Sequence, residues 1–288
     1  MSDRAGMAGS GLDHLSQRDF RRLAAFIHDY SGIKMPETKK TMVEGRLRKR
    51  VAATGCAHLA DYCRHLFEED GLAAETIHLI DVITTNKTEF FREPEHFRFM
   101  ADVALPQIVA DRRAGPHTLV KVWSTASSIG AEPYTLAMVL AEASERLSGF
   151  RSSVLATDIS TRVLETAVTA IYPEAMIRPV PPDLRKRYLL RSKQASRGLV
   201  RITPELRRMV QFGRLNLMDN SFPIDRDFDI IFCRNMLIYF DKPTQQAVLT
   251  RLCNHLRPGG YLFLGHSESL AGFGLPLKSL GTTVFQRE

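Results

Sequence analysis

The chain has 288 residues, 44% of them hydrophobic, and a formal net charge of +7 from 39 Lys and Arg against 32 Asp and Glu. That composition predicts a soluble globular protein with a buried core, and it excludes a membrane span, for want of about 18 consecutive apolar residues, and a signal peptide at the start. Four cysteines without a C-x-x-C pair, Cys56, Cys63, Cys233 and Cys253, too few to staple a chain of this size, predict reduced thiols in the cytoplasm, while the positive charge predicts an acidic partner without choosing among nucleic acid, an anionic membrane and an acidic protein.

Residues 1–15, with Asp3, Arg4 and Asp13 among Gly and Ser, read as a disordered tail, and 16–90 as an all-helical domain. Ser16 with Asp19 resembles a capping box, Phe20, Leu23, Ala24, Ile27 and Tyr30 follow at helical spacing, and Gly32 is the stop. A second helix starts near Pro36, carries Val43, Leu47 and Val51 on one face and ends at Gly55. Two further segments gather around Leu59, Tyr62, Cys63, Leu66 and Phe67, then Ile77, Ile80 and Ile83. A second domain covers 91–288. From about residue 118 the apolar runs LVKVW, SVLATDI, VQFGRLNL, DIIFCRN, GYLFLGH and TTVFQR appear, with helical patterns at 133–147, 160–170 and 243–256 between several of them. Such alternation predicts an open, mostly parallel sheet whose ligands sit at the carboxyl ends of the strands. Residues 172–208 interrupt it with five prolines and a hairpin pattern, RYLL and LVRI around a polar turn, and read as an inserted subdomain.

The first strand runs into a loop of small residues, Ser124 to Ser128, and then a helix, where α/β enzymes receive their ligand. Only one glycine, Gly130, is present, with neither G-x-G-x-x-G nor a P-loop lysine, so the loop does not read as a pyrophosphate or triphosphate cradle. Glu132 at the helix start suits the positive end of the helix dipole with no ligand at all; as a ligand group it repels phosphate and attracts a cation. S-adenosylmethionine offers a sulfonium and an α-ammonium and carries no phosphate. Asp158, ending the second strand, reads either as a structural turn aspartate or as an acceptor for two ribose hydroxyls. LRPGGYLFLG, residues 256–265, adds a helix end, a Pro-Gly-Gly turn and a buried strand.

These segments resemble the chemotaxis receptor methyltransferases, the CheR family, which methylate glutamate side chains of bacterial chemoreceptors with S-adenosyl-L-methionine, leaving S-adenosyl-L-homocysteine. The resemblance runs from about residue 16 to the end, on ITTNKTEFFREPEHF, STASSIGAEPYTLAM, LATDIS, FGRLNLMD, FDIIFCRNMLIYFDKPTQ and LRPGGYLFLGHSESL. It implies an α/β fold: a Rossmann-like S-adenosylmethionine-dependent methyltransferase sheet with a small N-terminal all-helical domain and an inserted β-hairpin subdomain. It also implies roles. Asn86, Thr88 and Arg92 would reach the cofactor, Arg92 near its methionine carboxylate and the methyl group. Glu132 would hold the amino group and Asp158 the ribose. Asn216 and Leu217 would flank the adenine, Cys233 and Arg234 would line the far wall, and Tyr239 would face the reactive centre. Two positions depart from the family's pattern. Ala131 replaces the first acid of its GEEPY motif and Ile129 its usual threonine, which predicts weaker hydrogen bonding in the loop.

A glutamate acceptor is already ionised at neutral pH, with an ordinary pKa of about 4.3, so the reaction needs alignment and exclusion of water rather than a general base. No metal is expected, Arg92 and Tyr239 are the groups at the chemistry, and His266 reads as a structural histidine. Lys39, Arg46 and Arg50 fall within roughly 40° on a helical wheel, with Lys49 beside them. Alone this is a solvated face; with acidic receptor helices as substrate it reads as a docking stripe. The inserted subdomain adds Arg185, Lys186, Arg187, Arg191, Lys193 and Arg197, where some relatives bind a receptor tail by strand addition. The partner expected is therefore the cytoplasmic helices of a chemoreceptor, met by a cytoplasmic monomer with no nucleic acid and no membrane insertion. A rival reading keeps the fold as a catalytically weak or inactive regulatory module that binds a nucleotide or receptor. A third, nucleic-acid methylation, lacks an aromatic-interleaved basic tract.

Overall fold

The computed structural model describes residues 13–147, 149–194 and 198–288, so residues 1–12 of the expected tail and Arg197 in the hairpin turn lie outside the described residues. Two compact units divide the chain: residues through Tyr30 together with Lys34–Ile83, and Ser31–Ile33 together with Thr84–Glu288. Residues 13–15, expected in the tail, are instead fastened. Leu15 is buried, its N–H and the His14 ring both meet the Glu44 carboxylate at 3.0 Å, and Asp13 accepts from the Leu59 N–H.

The first unit is built of α1 (Gln17–Ser31), α2 (Lys40–Thr54), α3 (Leu59–Glu68) and α4 (Leu72–Ile83). Ser16 caps α1 as its spacing predicts, its Oγ accepting the Asp19 N–H at 3.0 Å, and Phe20, Leu23 and Ile27 are buried. Gly55 closes α2 in the left-handed conformation, φ 75°. Inside the unit, the buried Glu75 of α4 receives a two-pronged pairing from Arg50 of α2 at 2.7 and 2.9 Å and the Tyr62 hydroxyl of α3 at 2.9 Å. Burial pushes the Glu75 carboxyl up, but the bonds from Arg50 and Tyr62 outweigh it and hold it below the usual range.

The second unit begins with a helix that sequence punctuation conceals: α5 (Pro94–Phe99), a π-helical turn Met100–Ala104 and α6 (Leu105–Arg112) run on without a break. Pro106 lacks an N–H and crowds the preceding turn, and the wider π turn beside it keeps the helix continuous. The sheet strands are β1 (Leu119–Ser124), β2 (Arg151–Asp158), β6 (Val210–Arg214), β7 (Phe228–Cys233), β8 (Leu256–Leu264), β9 (Leu277–Ser279) and β10 (Val284–Arg287), in the order β6-β2-β1-β7-β8-β10-β9. The first five are parallel; β10 is antiparallel to both its neighbours. Helices α7 (Ala131–Arg146), α8 (Thr161–Thr169) and α11 (Lys242–His255) lie between strands. β7 is buried at all six positions, which is why it reads as an unbroken apolar run. The Pro-Gly-Gly segment is not a turn before β8 but part of it: the register slips between Phe228 opposite Leu256 and Ile230 opposite Tyr261, leaving a bulge.

The insertion is more than a hairpin. β3 (Ile171–Pro173), β4 (Leu189–Arg191) and β5 (Leu199–Ile202) form an antiparallel sheet in the order β3-β5-β4, with α9 (Pro182–Tyr188) and α10 (Pro204–Met209) flanking it. Each of these strands is four residues or fewer, too short for a periodic signal. Among the described residues no helix is long and apolar enough to cross a membrane.

Candidate functional site

The strand order reverses between β1 and β7, and at such a switch point the loops leaving the two strands part and open a crevice. β1 delivers Ser124 to its edge, where the hydroxyl donates to Glu132 Oε1 at 2.7 Å from the first turn of α7. The other oxygen of Glu132 lies 3.5 Å from Arg234, the residue following β7. Burial pushes the Glu132 carboxyl above the ordinary carboxylate range, opposed by the Arg234 charge and the Ser124 hydrogen bond. The Arg234 side chain is 2% exposed, stands over the rings of Phe97 and Phe232, pairs with Glu93 at 3.4 Å and donates to the Arg92 carbonyl. A guanidinium held by two carboxylates and two aromatic faces is a fixed wall, not a mobile surface charge.

The loop of small residues is pinned at several points. Ser127 N–H bonds the Thr157 carbonyl of β2, Ser128 N–H bonds Asp158 Oδ2 at 2.8 Å, and the Ser128 hydroxyl donates to the Asn86 carbonyl at 3.0 Å. Ser128 adopts φ 49° to make these bonds. Gly130, at φ 95°, leads into α7, and a Cβ there would stand 2.8 Å from the Tyr172 hydroxyl, which donates to the Ile129 carbonyl at 2.7 Å. The inserted subdomain thus clamps the loop through Tyr172 of β3. At the two family-pattern departures, Ala131 is fully buried in the core and the Ile129 carbonyl is held by that clamp.

Asp158 ends β2 with one carboxylate oxygen on the Ser128 N–H and the other on the Ser160 N–H at 3.0 Å. Its carbonyl accepts from Leu215, which brings Asn216 and Leu217 alongside the tip of β2. Asn216 and Leu217 are both buried, and Asn216 Oδ1 accepts the Met218 N–H. Cys233 is fully buried at the end of β7; burial pushes its thiol pKa up, so it is no nucleophile. Tyr239 closes the 3-10 turn Leu237–Tyr239 half-buried against the apolar core. Asn86 and Thr88 are half-buried in the segment before α5, while Arg92 is about one-third exposed, 3.9 Å from Glu93 and bonded to the Lys87 carbonyl.

Two acids that the sequence reading did not single out organise this edge. Glu93 is the common partner of Arg92 and Arg234. Glu268 is buried with its carboxylate on the N–H groups of Gly265, Asn235 and Leu237 at 2.7 to 2.9 Å, fixing the turn that carries Tyr239; burial raises its pKa against those bonds. Neither was legible, because FREPEHF and HSES look like ordinary charged surface. The hydroxyls of Ser127 and Ser160 are buried without a hydrogen bond. With two carboxylates beside them and no lysine from Ser124 to Gly130, this donor set fits a cationic, phosphate-free nucleoside.

The proposed docking stripe does not form one open face. Arg50 is 18% exposed and committed to Glu75, and Arg46 donates to the Ile83 carbonyl; Lys39 is half-buried, and of the four only Lys49 is exposed.

Parallel strands in this order, an antiparallel strand beside the last of them, and acids in place of glycines at the switch point define an S-adenosylmethionine-dependent methyltransferase. Residues 18–84 match the CheR methyltransferase all-alpha domain, and residues 86–285 match the CheR methyltransferase SAM binding domain. The chain belongs to the CheR methyltransferase family. It is 37% identical over 274 residues to chemotaxis protein methyltransferase 2 of Pseudomonas aeruginosa, spanning 94% of each chain. It is 39% identical to the chemotaxis protein methyltransferase of Klebsiella aerogenes, over 99% of this chain and 96% of that one. The Escherichia coli chemotaxis protein methyltransferase is likewise 39% identical, over 94% of this chain and 91% of its own.

Proposed function

We propose that the chain methylates glutamate carboxylates on the cytoplasmic helices of chemoreceptors, giving glutamyl methyl esters, and that it works in the cytoplasm as a monomer. The observation that carries this is the pair of carboxylates, Glu132 and Asp158, flanking a pinned loop of small residues in a chain of the CheR family. Glu132 takes the cofactor's ammonium, Asp158 its ribose hydroxyls, Asn216 and Leu217 its adenine, and Cys233 and Arg234 the far wall. Asn86 and Thr88 close over it, with Arg92 and Tyr239 at the reacting end. When bound, S-adenosylmethionine supplies a methyl group on a sulfonium that leaves as a neutral thioether.

The acceptor needs no base, since a glutamate of ordinary pKa near 4.3 is ionised at neutral pH. With the cofactor bound, the acceptor oxygen would take the methyl carbon as the carbon–sulfur electron pair is left on sulfur, so none of these residues would have to move a proton. Arg92 steers the incoming carboxylate; its partial exposure and its contact with Glu93 keep that attraction moderate, which matters because the acceptor's negative charge fades in the transition state. Tyr239, on a turn fixed by Glu268, limits the lateral freedom of the acceptor. Of the four stripe residues Lys49 is the exposed cation available to acidic receptor helices, while Arg46 and Arg50 serve the interior.

Calorimetry with S-adenosylhomocysteine tests the site. Binding by the wild type and its loss in both Glu132→Ala and Asp158→Ala are expected, and wild-type affinity in the two variants would overturn the assignment. Methyl-ester formation on a receptor cytoplasmic fragment tests the reaction. Binding without turnover there would revive the regulatory-module reading, which family membership does not favour.

A further inference from the structure

Behind the Arg234 wall, Glu93, the partner of Arg92 and Arg234, meets three side chains that have no role in the reaction. Glu93 and Glu95 stand at the start of α5, His96 is in its first turn, and His266 follows β8. One oxygen or ring nitrogen from each of Glu93, His96 and His266 lies within 4.8 Å of the others. His96 Nδ1 is 3.5 Å from Glu93 Oε2, His266 Nε2 is 3.9 Å from the same oxygen, and His266 Nε2 also meets Glu95 Oε1.

His96 carries the argument. Its side chain is 3% exposed, its Nε2 is satisfied by the Thr283 hydroxyl at 2.7 Å, and its Nδ1 has no hydrogen-bond partner. Glu93 Oε2, which it faces, makes no hydrogen bond either. In the tautomer with Nε2–H donating to Thr283, Nδ1 turns a lone pair toward Glu93 Oε2, an oxygen that has Arg234 3.4 Å away but makes no hydrogen bond. A cation between the two gives both a partner. Metal-bound histidines use their second ring nitrogen in just this way, bonded to a neighbouring oxygen that fixes the tautomer. Tetrahedral ligands at about 2.0–2.1 Å from a zinc ion sit about 3.3 Å from one another, so the His96 and His266 nitrogens, at 3.5 and 3.9 Å from Glu93 Oε2, close on it by about 0.2 and 0.6 Å, and rotation of the exposed His266 side chain completes the approach. The exposed sides of His266 and Glu95 provide the entry path.

We propose that Glu93, His96 and His266 form a three-ligand binding site for a zinc-class divalent cation, with Glu95 beside His266 at its entrance. Two imidazoles and a carboxylate suit zinc rather than magnesium or calcium. A bound ion ties the start of α5 to the loop after β8 and draws Glu93 away from Arg234, so the site borders the cofactor wall without entering it.

Titrating metal-free full-length protein with Zn2+ alone against a chromophoric chelator tests the site, with thermal unfolding as a second readout. One equivalent is expected to bind with micromolar or tighter affinity and to raise the Tm, as any ligand of the folded state does. His266→Ala and Glu95→Gln replace exposed side chains that the fold does not need; each is expected to weaken binding by about tenfold or more and to abolish the Tm rise, while His117→Ala, an exposed histidine outside the cluster, binds as the wild type does. No zinc binding by the wild type, or the same affinity and Tm rise in His266→Ala, overturns the proposal. S-adenosylhomocysteine binding by the same samples reports separately on the methyltransferase site.

Discussion

At the scale of single residues, Glu132 sets a pH dependence. Its carboxyl is raised by burial, so protonation begins at a higher pH than for a surface glutamate. A proton on Glu132 removes the negative charge that faces the cofactor's ammonium. The affinity for S-adenosylhomocysteine is therefore expected to fall as pH drops from 8 to 5, and Glu132→Gln to lose both the affinity and the slope. One hydrogen bond to a charged group is worth about 1.5–3 kcal/mol, which is roughly 10- to 150-fold in Kd. Calorimetry across that range measures it, and a Gln variant as pH-sensitive as the wild type would assign the titration elsewhere. Asp158 is held differently, each oxygen already accepting one backbone N–H. Asp158→Asn turns one of those acceptors into a donor facing a donor, so it is expected to loosen the 124–130 loop as well as weaken ribose binding, visible as faster amide exchange at Ser128 and Ser160.

At the scale of elements, legibility followed burial and length. β1, β2, β7 and β8 carry runs of six or more residues buried largely on both faces and stand out in the sequence, and Glu132 and Asp158 were readable because they sit where such strands end. β3 and β9, three residues each, have no period to detect. The α5–α6 helix hid behind Pro106, and the roles of Glu93 and Glu268 exist only through partners that folding brings near. Likewise the α2 wheel grouped Arg46 and Arg50 correctly by angle, but nothing in it told that Glu75 waits on α4. The loop clamp was invisible for the same reason, and it is testable. Gly130→Ala forces a Cβ into φ 95° and against the Tyr172 hydroxyl. A non-glycine residue in such a conformation costs about 1–3 kcal/mol, read as a lowered urea midpoint. Tyr172→Phe removes one hydrogen bond at about 1 kcal/mol and is expected to weaken cofactor binding by freeing the loop.

At the scale of the whole molecule, each compact unit has its own buried ionic clasp, and the two offer separate handles on stability. In the helical unit it is Glu75 with Arg50 and Tyr62. In the sheet unit Asp229, fully buried in β7, accepts from Arg112 of α6, Arg257 of β8 and the Lys121 N–H of β1, all at 2.8 Å, and so joins three strands and a helix at one point. Removing one partner of a buried pair leaves the other desolvated and alone, at about 3–5 kcal/mol, with the lower end apt here because the arginines are partly exposed. The folded pKa of Glu75 lies below its unfolded value, so its contribution is present above the unfolded value of about 4.3 and is lost as pH falls through the folded one. The single tryptophan, Trp123, is fully buried in β1, so its fluorescence follows the sheet unit alone, whereas far-ultraviolet circular dichroism follows both units. Asp229→Ala is expected to lower the tryptophan-detected urea midpoint. Arg50→Ala is expected to leave that midpoint in place, to add an earlier phase to the dichroism, and to reverse the acid dependence of that phase, because burial then raises the Glu75 pKa with Tyr62 alone to oppose it and protonation becomes stabilising. Equal shifts of both signals in both variants would mean that the units unfold as one, and the two clasps would then have to be treated as parts of a single cooperative structure.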